Sequence, residues 1–144
     1  MTQNHEDQVD SQIPGVETLL QQCRLGMTRL HPSQAQAAVA SGALLVDTRT
    51  DAQRAVQGHL PGAVVIDRTV LEWRLDPTSP WRIPEAAGPD LLIVVVCGYG
   101  FSSSLAAASL RSLGLSRATD IIGGMQAWLD AGLPTTVEPA DIRY

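Results

Sequence analysis

The sequence predicts an α/β fold with a central, mainly parallel β-sheet flanked by helices on both faces. Three observations carry that expectation. Short apolar runs at residues 43–46, 64–66 and 91–96 alternate with segments whose apolar residues follow helical spacing. The runs are continuous rather than alternating, as strands buried on both faces require. Glycines at 42, 114 and 132 stand where helices should stop. Alternation of strand and helix is the signature of a sheet whose strands run parallel through helical crossovers.

The elements follow in order. Pro14-Gly15 precedes Val16, Leu19, Leu20 and Cys23, which share one face of an expected helix over residues 16–25. Cys23 on that face reads as core filler. Thr28-Arg29-Leu30-His31 reads as a short edge strand ended by Pro32. Ser33 is the expected cap of a helix that Gly42 stops. The strand at residues 43–46 ends at Asp47-Thr48-Arg49, and a polar helix is expected over residues 51–57. Gly58-His59-Leu60-Pro61-Gly62-Ala63 is a turn signal before the strand at 64–66. Residues 71–89 contain Pro77, Pro80, Pro84 and Pro89 together with Trp73 and Trp81, and are expected to be mostly irregular. The strand at 91–96 leads into a helix over about residues 102–113. A strand at 119–122, the break Gly123-Gly124, and a helix over residues 125–131 complete the pattern.

Composition bounds the function. At 144 residues, 44% hydrophobic and 17% charged, the chain suits one soluble domain with a real core. A formal net charge of −5 weighs against nucleic acid as a partner. No apolar stretch approaches the ~20 residues that span a bilayer, so no membrane partner is expected. The polar segment from Met1 to Ser11 lacks the apolar core of a secretory signal, so a cytoplasmic location is the expectation. Residues 1–12 read as a flexible tail, and residues 13–144 as a single domain. His5, His31 and His59 lack zinc-type spacing, and with Cys23 and Cys97 they make no metal-ligand set. A Cys23–Cys97 disulfide is disfavoured in a reducing compartment.

Cys97 is the most informative residue. It ends the apolar run Leu91-Leu92-Ile93-Val94-Val95-Val96 and opens the loop Gly98-Tyr99-Gly100-Phe101-Ser102-Ser103-Ser104 before a helix. In parallel sheets, function sits at the carboxyl ends of strands, and Asp47 and Cys97 each follow one. Unpaired N–H groups and the dipole of a helix start favour an anion or a thiolate. Gly98 and Gly100 should let successive N–H groups converge into a concave anion site, with one of the serines capping the helix. A strand-end cysteine taken alone is more often a small inert hydrophobe. The glycine spacing and the serine-rich helix start move the balance toward chemistry.

Four segments together resemble the rhodanese-like family. They are Asp47-Thr48-Arg49, the turn Gly58 to Ala63, the Cys97 loop, and Gly123-Gly124-Met125-Gln126-Ala127-Trp128-Leu129-Asp130-Ala131-Gly132-Leu133-Pro134. They occur in the family's order, within a motif-bearing core at residues 27–136. The resemblance implies a single rhodanese-like domain in which Cys97 takes a sulfane sulfur from a donor such as thiosulfate, mercaptopyruvate or a protein persulfide. The resulting persulfide then passes its sulfur to cyanide, a small thiol or a protein thiol. No metal or organic cofactor is implied. Gly98, Tyr99, Gly100, Phe101, Ser102 and Ser103 correspond to the loop that holds the bound sulfur. Asp47 and Arg49 correspond to a supporting pair, equally readable as a loop-holding ion pair. His59 and Gly62 match a structural turn, and Trp128 a core tryptophan.

Many single-domain members carry arginine where Ser102 stands, so this loop has no positive side chain. Arg49, Arg54, Arg74 and Arg82 are the candidates for reaching in from elsewhere. Tyr99 and Phe101 could wall the pocket for a hydrophobic or protein-borne substrate. Two further readings differ in class. A phosphatase or arsenate reductase would need an arginine at the loop's end, where Ser103 stands. A non-catalytic binding module, or a sulfide or redox sensor, would need only Cys97 itself or a partner surface.

Overall fold

The computed structural model describes residues 12–144, and the tail expected over residues 1–12 lies, apart from Gln12, outside the described residues. Among the described residues, the six α-helices are α1 (Gly15–Arg24), α2 (Pro32–Ala40), α3 (Asp51–Gln57), α4 (Leu71–Leu75), α5 (Ser102–Ser112) and α6 (Gly124–Asp130). Five strands are β1 (Leu44–Asp47), β2 (Ala63–Val65), β3 (Ile93–Val96), β4 (Thr119–Asp120) and β5 (Asp141–Ile142). These five strands all pair in parallel, in the order β4-β3-β1-β2-β5. The fold is thus the expected α/β architecture, with a sheet that is wholly parallel. Leu30 extends it by bridging Ile121 beyond β4, where an edge strand was anticipated.

Strand residues divide by alternation. Val46, Val64, Ile93 and Val95 enter one core with Leu71, Leu75, Ala106, Ala107 and Leu110, so α4 and α5 cover that face. Leu45, Val94 and Val96 enter the other with Ala35, Met125 and Trp128, so α2 and α6 cover the opposite face. β1, β2 and β3 therefore bury both sets of side chains, which explains their unbroken apolar sequences. Helix α1 packs on α5.

Several local expectations need correction. Ser33 does not cap α2. His31, in extended conformation, is the cap residue; Pro32 takes the first helical position and the Gln34 side chain accepts from the His31 N–H at 2.9 Å. None of Ser102, Ser103 and Ser104 caps α5, whose cap residue is Phe101. Two of these serines are drawn instead to a buried carboxylate, as described below. Residues 71–89 are mostly irregular, as expected; α4 occupies only their start, and Leu71, Leu75, Ile83 and Ala86 are nonetheless core residues. Strand β5 has no apolar run to announce it. It is held by Arg143, which pairs with Glu85 at 2.7 Å and with Asp141 at 2.8 Å.

The topology creates a crevice. From β1 the chain leaves through α3 toward β2, and from the adjacent β3 it leaves through α5 toward β4. The two connections diverge at the carboxyl ends of neighbouring strands, which is where parallel sheets place their sites. Asp47 is in register with Val96. Thr48 joins the two strand ends, its N–H and hydroxyl both donating to the Val96 carbonyl at 3.0 and 3.1 Å. Asp47 and Cys97 thus share the edge on which they were expected.

Candidate active site

Cys97 emerges from β3 into this crevice and is almost wholly buried, 6% exposed. Its Sγ accepts from the Gly100 N–H at 3.1 Å and the Ser103 N–H at 3.4 Å, and lies 3.2 Å from Ser103 Oγ. Burial pushes the thiol's pKa up. The hydroxyls of Ser103 and Ser102 and the N–H groups of Ser103 and Gly100 pull it down, and the net result is below the ordinary thiol value. Charge on the sulfur is therefore favoured even though the site is nearly dry. Cys23 and Cys97 are both free thiols.

The loop faces its N–H groups inward because its carbonyls are tied outward. Met125 and Gln126, in the first turn of α6, donate to the carbonyls of Cys97 and Gly98 at 2.8 and 3.0 Å. Gln57 Nε2 also donates to Gly98 O at 3.3 Å. Arg24 and Arg29 both donate to Gly100 O, at 2.9 and 3.0 Å. In a trans peptide the N–H points opposite to the C=O, so the N–H groups of Gly98, Tyr99 and Phe101 turn away from these partners. Close approach makes this possible. A Cβ on Gly124 would meet the Cys97 carbonyl oxygen at 2.5 Å, and one on Gly100 would meet Gly123 N at 2.6 Å. Gly100 also has φ +85°, which side-chain-bearing residues resist. Gly98 has no such requirement, contrary to expectation: its φ is not positive, and a Cβ there would make an ordinary contact with Gln57.

Asp120, at the end of β4, is fully buried directly behind the loop. Ser103 Oγ and Ser104 Oγ each lie 2.8 Å from its Oδ2. Arg29 grips both its oxygens at 2.7 and 3.1 Å, and Arg24 Nε donates to Ser104 Oγ at 2.9 Å. Sequence reading did not single out Asp120, Arg24 or Arg29. The available signal was a carboxylate inside a strand flanked by core residues, which must find a partner.

The arginines anticipated near the loop are engaged elsewhere. Arg49 forms a buried pair with Asp47 at 2.8 Å, and the same carboxylate accepts from the Arg49 N–H at 3.0 Å, so this pair braces the turn after β1. Arg54 binds the Arg49 carbonyl at 2.5 Å and pairs with Asp51. Arg74 and Arg82 donate to the carbonyls of Trp81 and Ser79. His59 and Gly62 line a separate cavity of about 260 Å³ with Asp47, Arg54 and Glu138. Trp128 is buried and donates to the Pro134 carbonyl at 2.9 Å. Trp73 and Trp81 are exposed. Between α3 and the start of the loop, Ala52, Gln53, Val56, Gln57, Gly98 and Tyr99 line an apolar groove of about 250 Å³. Tyr99 and Phe101 are 62% and 59% exposed, so neither closes over Cys97.

A buried cysteine met by loop N–H groups at the switch point of a parallel sheet is an arrangement suited to cysteine-dependent group transfer. The rhodanese-like domain model matches residues 31–131, and the chain belongs to that family. Over 100 residues it is 39% identical to the thiosulfate sulfurtransferase GlpE of Pseudomonas savastanoi pv. phaseolicola, covering 69% of this chain and 85% of that protein. The Pseudomonas entomophila GlpE is 38% identical over the same share of this chain and 83% of its own. Among solved structures, a Rhodopseudomonas palustris protein of unknown function, described as a possible tyrosine phosphatase, is 32% identical. It superposes with a TM-score of 0.76 over 85% of this chain and 94% of its own. The chain is a sulfurtransferase of the rhodanese type. No helix among the described residues is long and apolar enough to cross a membrane.

Proposed function

We propose that Cys97 carries sulfur through a persulfide, with thiosulfate as a donor and a thiol or cyanide as acceptor. The observation that carries this reading is the Cys97 sulfur, buried yet met by the N–H groups of Gly100 and Ser103 and the hydroxyl of Ser103. The thiolate attacks the outer sulfur of thiosulfate. The S–S bond of the donor breaks, and sulfite leaves with the electron pair. The terminal sulfur of the new persulfide carries the negative charge and occupies the bowl of loop N–H groups from Gly98 to Ser103. Attack on that sulfur by cyanide or a thiolate then yields thiocyanate or a new persulfide and restores the Cys97 thiolate. Mercaptopyruvate and a protein-borne persulfide are the competing donors. The loop carries no cationic side chain of its own, which separates this site from phosphoryl-transfer loops. Asp47 and Arg49 support the neighbouring turn rather than the reacting atoms.

The test is intact-mass spectrometry after brief exposure to thiosulfate, and separately to mercaptopyruvate, with Cys97→Ser as control. A gain of one sulfur that needs Cys97 and is removed by cyanide is the expected result. Sulfur loading retained in Cys97→Ser would overturn the mechanism. No adduct with either small donor would overturn thiosulfate as substrate and favour a protein donor or a sensing role.

A further inference from the structure

The sulfurtransferase reading leaves one difficulty: a dianionic donor must be drawn to a loop whose own side chains include no cation. Two arginines stand behind that loop. Arg24 ends α1, and Arg29 lies in the segment leading to α2, so both precede residues 31–131, where the family model matches. They converge on a single atom, the Gly100 carbonyl oxygen, at 2.9 and 3.0 Å. Both hydrogen bonds are charge-assisted, and both polarise the Gly100–Phe101 peptide. The Phe101 N–H is the positive end of that peptide and points the opposite way.

The charges do not cancel. Asp120 is the carboxylate in this cluster, and Arg29 holds it through two hydrogen bonds. Arg24 reaches the cluster through Ser104 and Gly100, and forms no ion pair among the described residues. Among the described residues, two guanidinium groups therefore face one carboxylate, and positive charge is left in excess in the wall behind the loop. Little water separates that wall from the sulfur, since Asp120, Ser103 and Ser104 are fully buried and Cys97 nearly so. Coulombic attraction acts over a longer range in such surroundings than at an open surface.

We propose that Arg24 and Arg29 are positioning residues that supply, from behind the loop, the positive potential its side chains lack. Through that potential they set a preference for anionic sulfur donors. The proposal rests on the sulfurtransferase reading, and its test separates the two. The rate of Cys97 alkylation is measured by peptide mass mapping with iodoacetate, which is anionic, and with iodoacetamide, which is neutral. The ratio of the two rates reports potential at the sulfur, requires no turnover, and cancels changes in thiolate fraction. Arg24→Gln and Arg29→Gln should each lower the iodoacetate-to-iodoacetamide ratio by roughly three- to tenfold. Arg24→Lys should recover most of it. Arg111→Gln, an arginine on α5 that touches no loop carbonyl, should leave the ratio as in the parent. Arg24→Gln keeps the Asp120–Arg29 pair and carries the test if Arg29→Gln does not fold.

A ratio within about twofold of the parent in folded Arg24→Gln would overturn the proposal. In steady-state assays the KM for thiosulfate should rise more than kcat falls. A lowered alkylation ratio with an unchanged KM would overturn the claim about donor preference. Absence of thiosulfate turnover in the parent protein would count against the function itself, while the alkylation ratio would still decide the potential.

Discussion

The Ser103 hydroxyl stands between two acceptors, 3.2 Å from Cys97 Sγ and 2.8 Å from Oδ2 of Asp120. It has one proton to give. With a neutral thiol, the S–H can donate to Ser103 while Ser103 donates to the carboxylate. With a thiolate, the hydroxyl can turn to the sulfur while Ser104 and Arg29 continue to satisfy Asp120. Ionisation of Cys97 thus needs only rotation of one hydroxyl, with no buried group left unpartnered.

Removing that hydroxyl should slow the thiol at neutral pH. Ser103→Ala is expected to raise the pH at which Cys97 reacts with iodoacetamide, with little change in the limiting rate at high pH. A pH–rate profile identical to the parent's would show that the N–H groups alone hold the thiolate.

Stability should depend on pH through the same sulfur. Cys97 ionises more readily in the folded chain than an ordinary thiol does. Between the folded and unfolded pKa values the unfolded chain binds more protons, so stability rises with pH across that window. The contribution is complete above the unfolded value and is lost as pH falls through the folded one. Denaturant melts over neutral to alkaline pH should show this slope, and Cys97→Ser should lack it.

Gly124→Ala should damage loop and fold together. Its φ is +61°, and the new Cβ would enter the Cys97 carbonyl oxygen. A loss of about 2 kcal/mol or more is expected in chemical denaturation, together with loss of sulfur loading. A stable, fully active variant would contradict the packing of the loop on α6.

Asp120→Ala leaves Arg29 without its ion pair in a largely buried position. A loss of about 3 kcal/mol or more is expected. The melting temperature should fall by roughly 10 °C. A shift within about 0.5 kcal/mol would place the pair among surface salt bridges of little consequence.

Ser102 is exposed at the first position of α5. Ser102→Arg should lower the KM for thiosulfate by roughly three- to tenfold, because a direct charged donor joins the charge behind the loop. An unchanged or higher KM would indicate that the loop already meets the donor's charge.

What was legible in the sequence was whatever rests on neighbours in the chain. The run before Cys97, the glycine break before α6 and the polar stretch that became α3 each reveal an element through residues a few positions apart. The Asp47–Arg49 pair was readable for the same reason, since its partners are two residues apart. Asp120 was not. Its partners Ser104 and Ser103 are 16 and 17 residues away and Arg29 is 91 away, so nothing near it in the chain announced them. Arg24 was unreadable as a loop anchor because Gly100 is 76 residues distant. Strand β5 has two residues, both exposed, so burial left no mark on its composition. The serines after Phe101 misled because their type suits a helix cap, whereas tertiary contact with Asp120 claims two of the hydroxyls.

The outward-tied carbonyls of the Cys97 loop are held from α1, from the segment before α2, from α3 and from α6. No short stretch of chain contains both the loop and its anchors. An emerging or half-folded polypeptide therefore lacks the anchors that turn the loop's N–H groups toward Cys97. The geometry around the sulfur is complete only when elements from both sides of the loop have closed on the sheet, so the site is itself a certificate of completed folding.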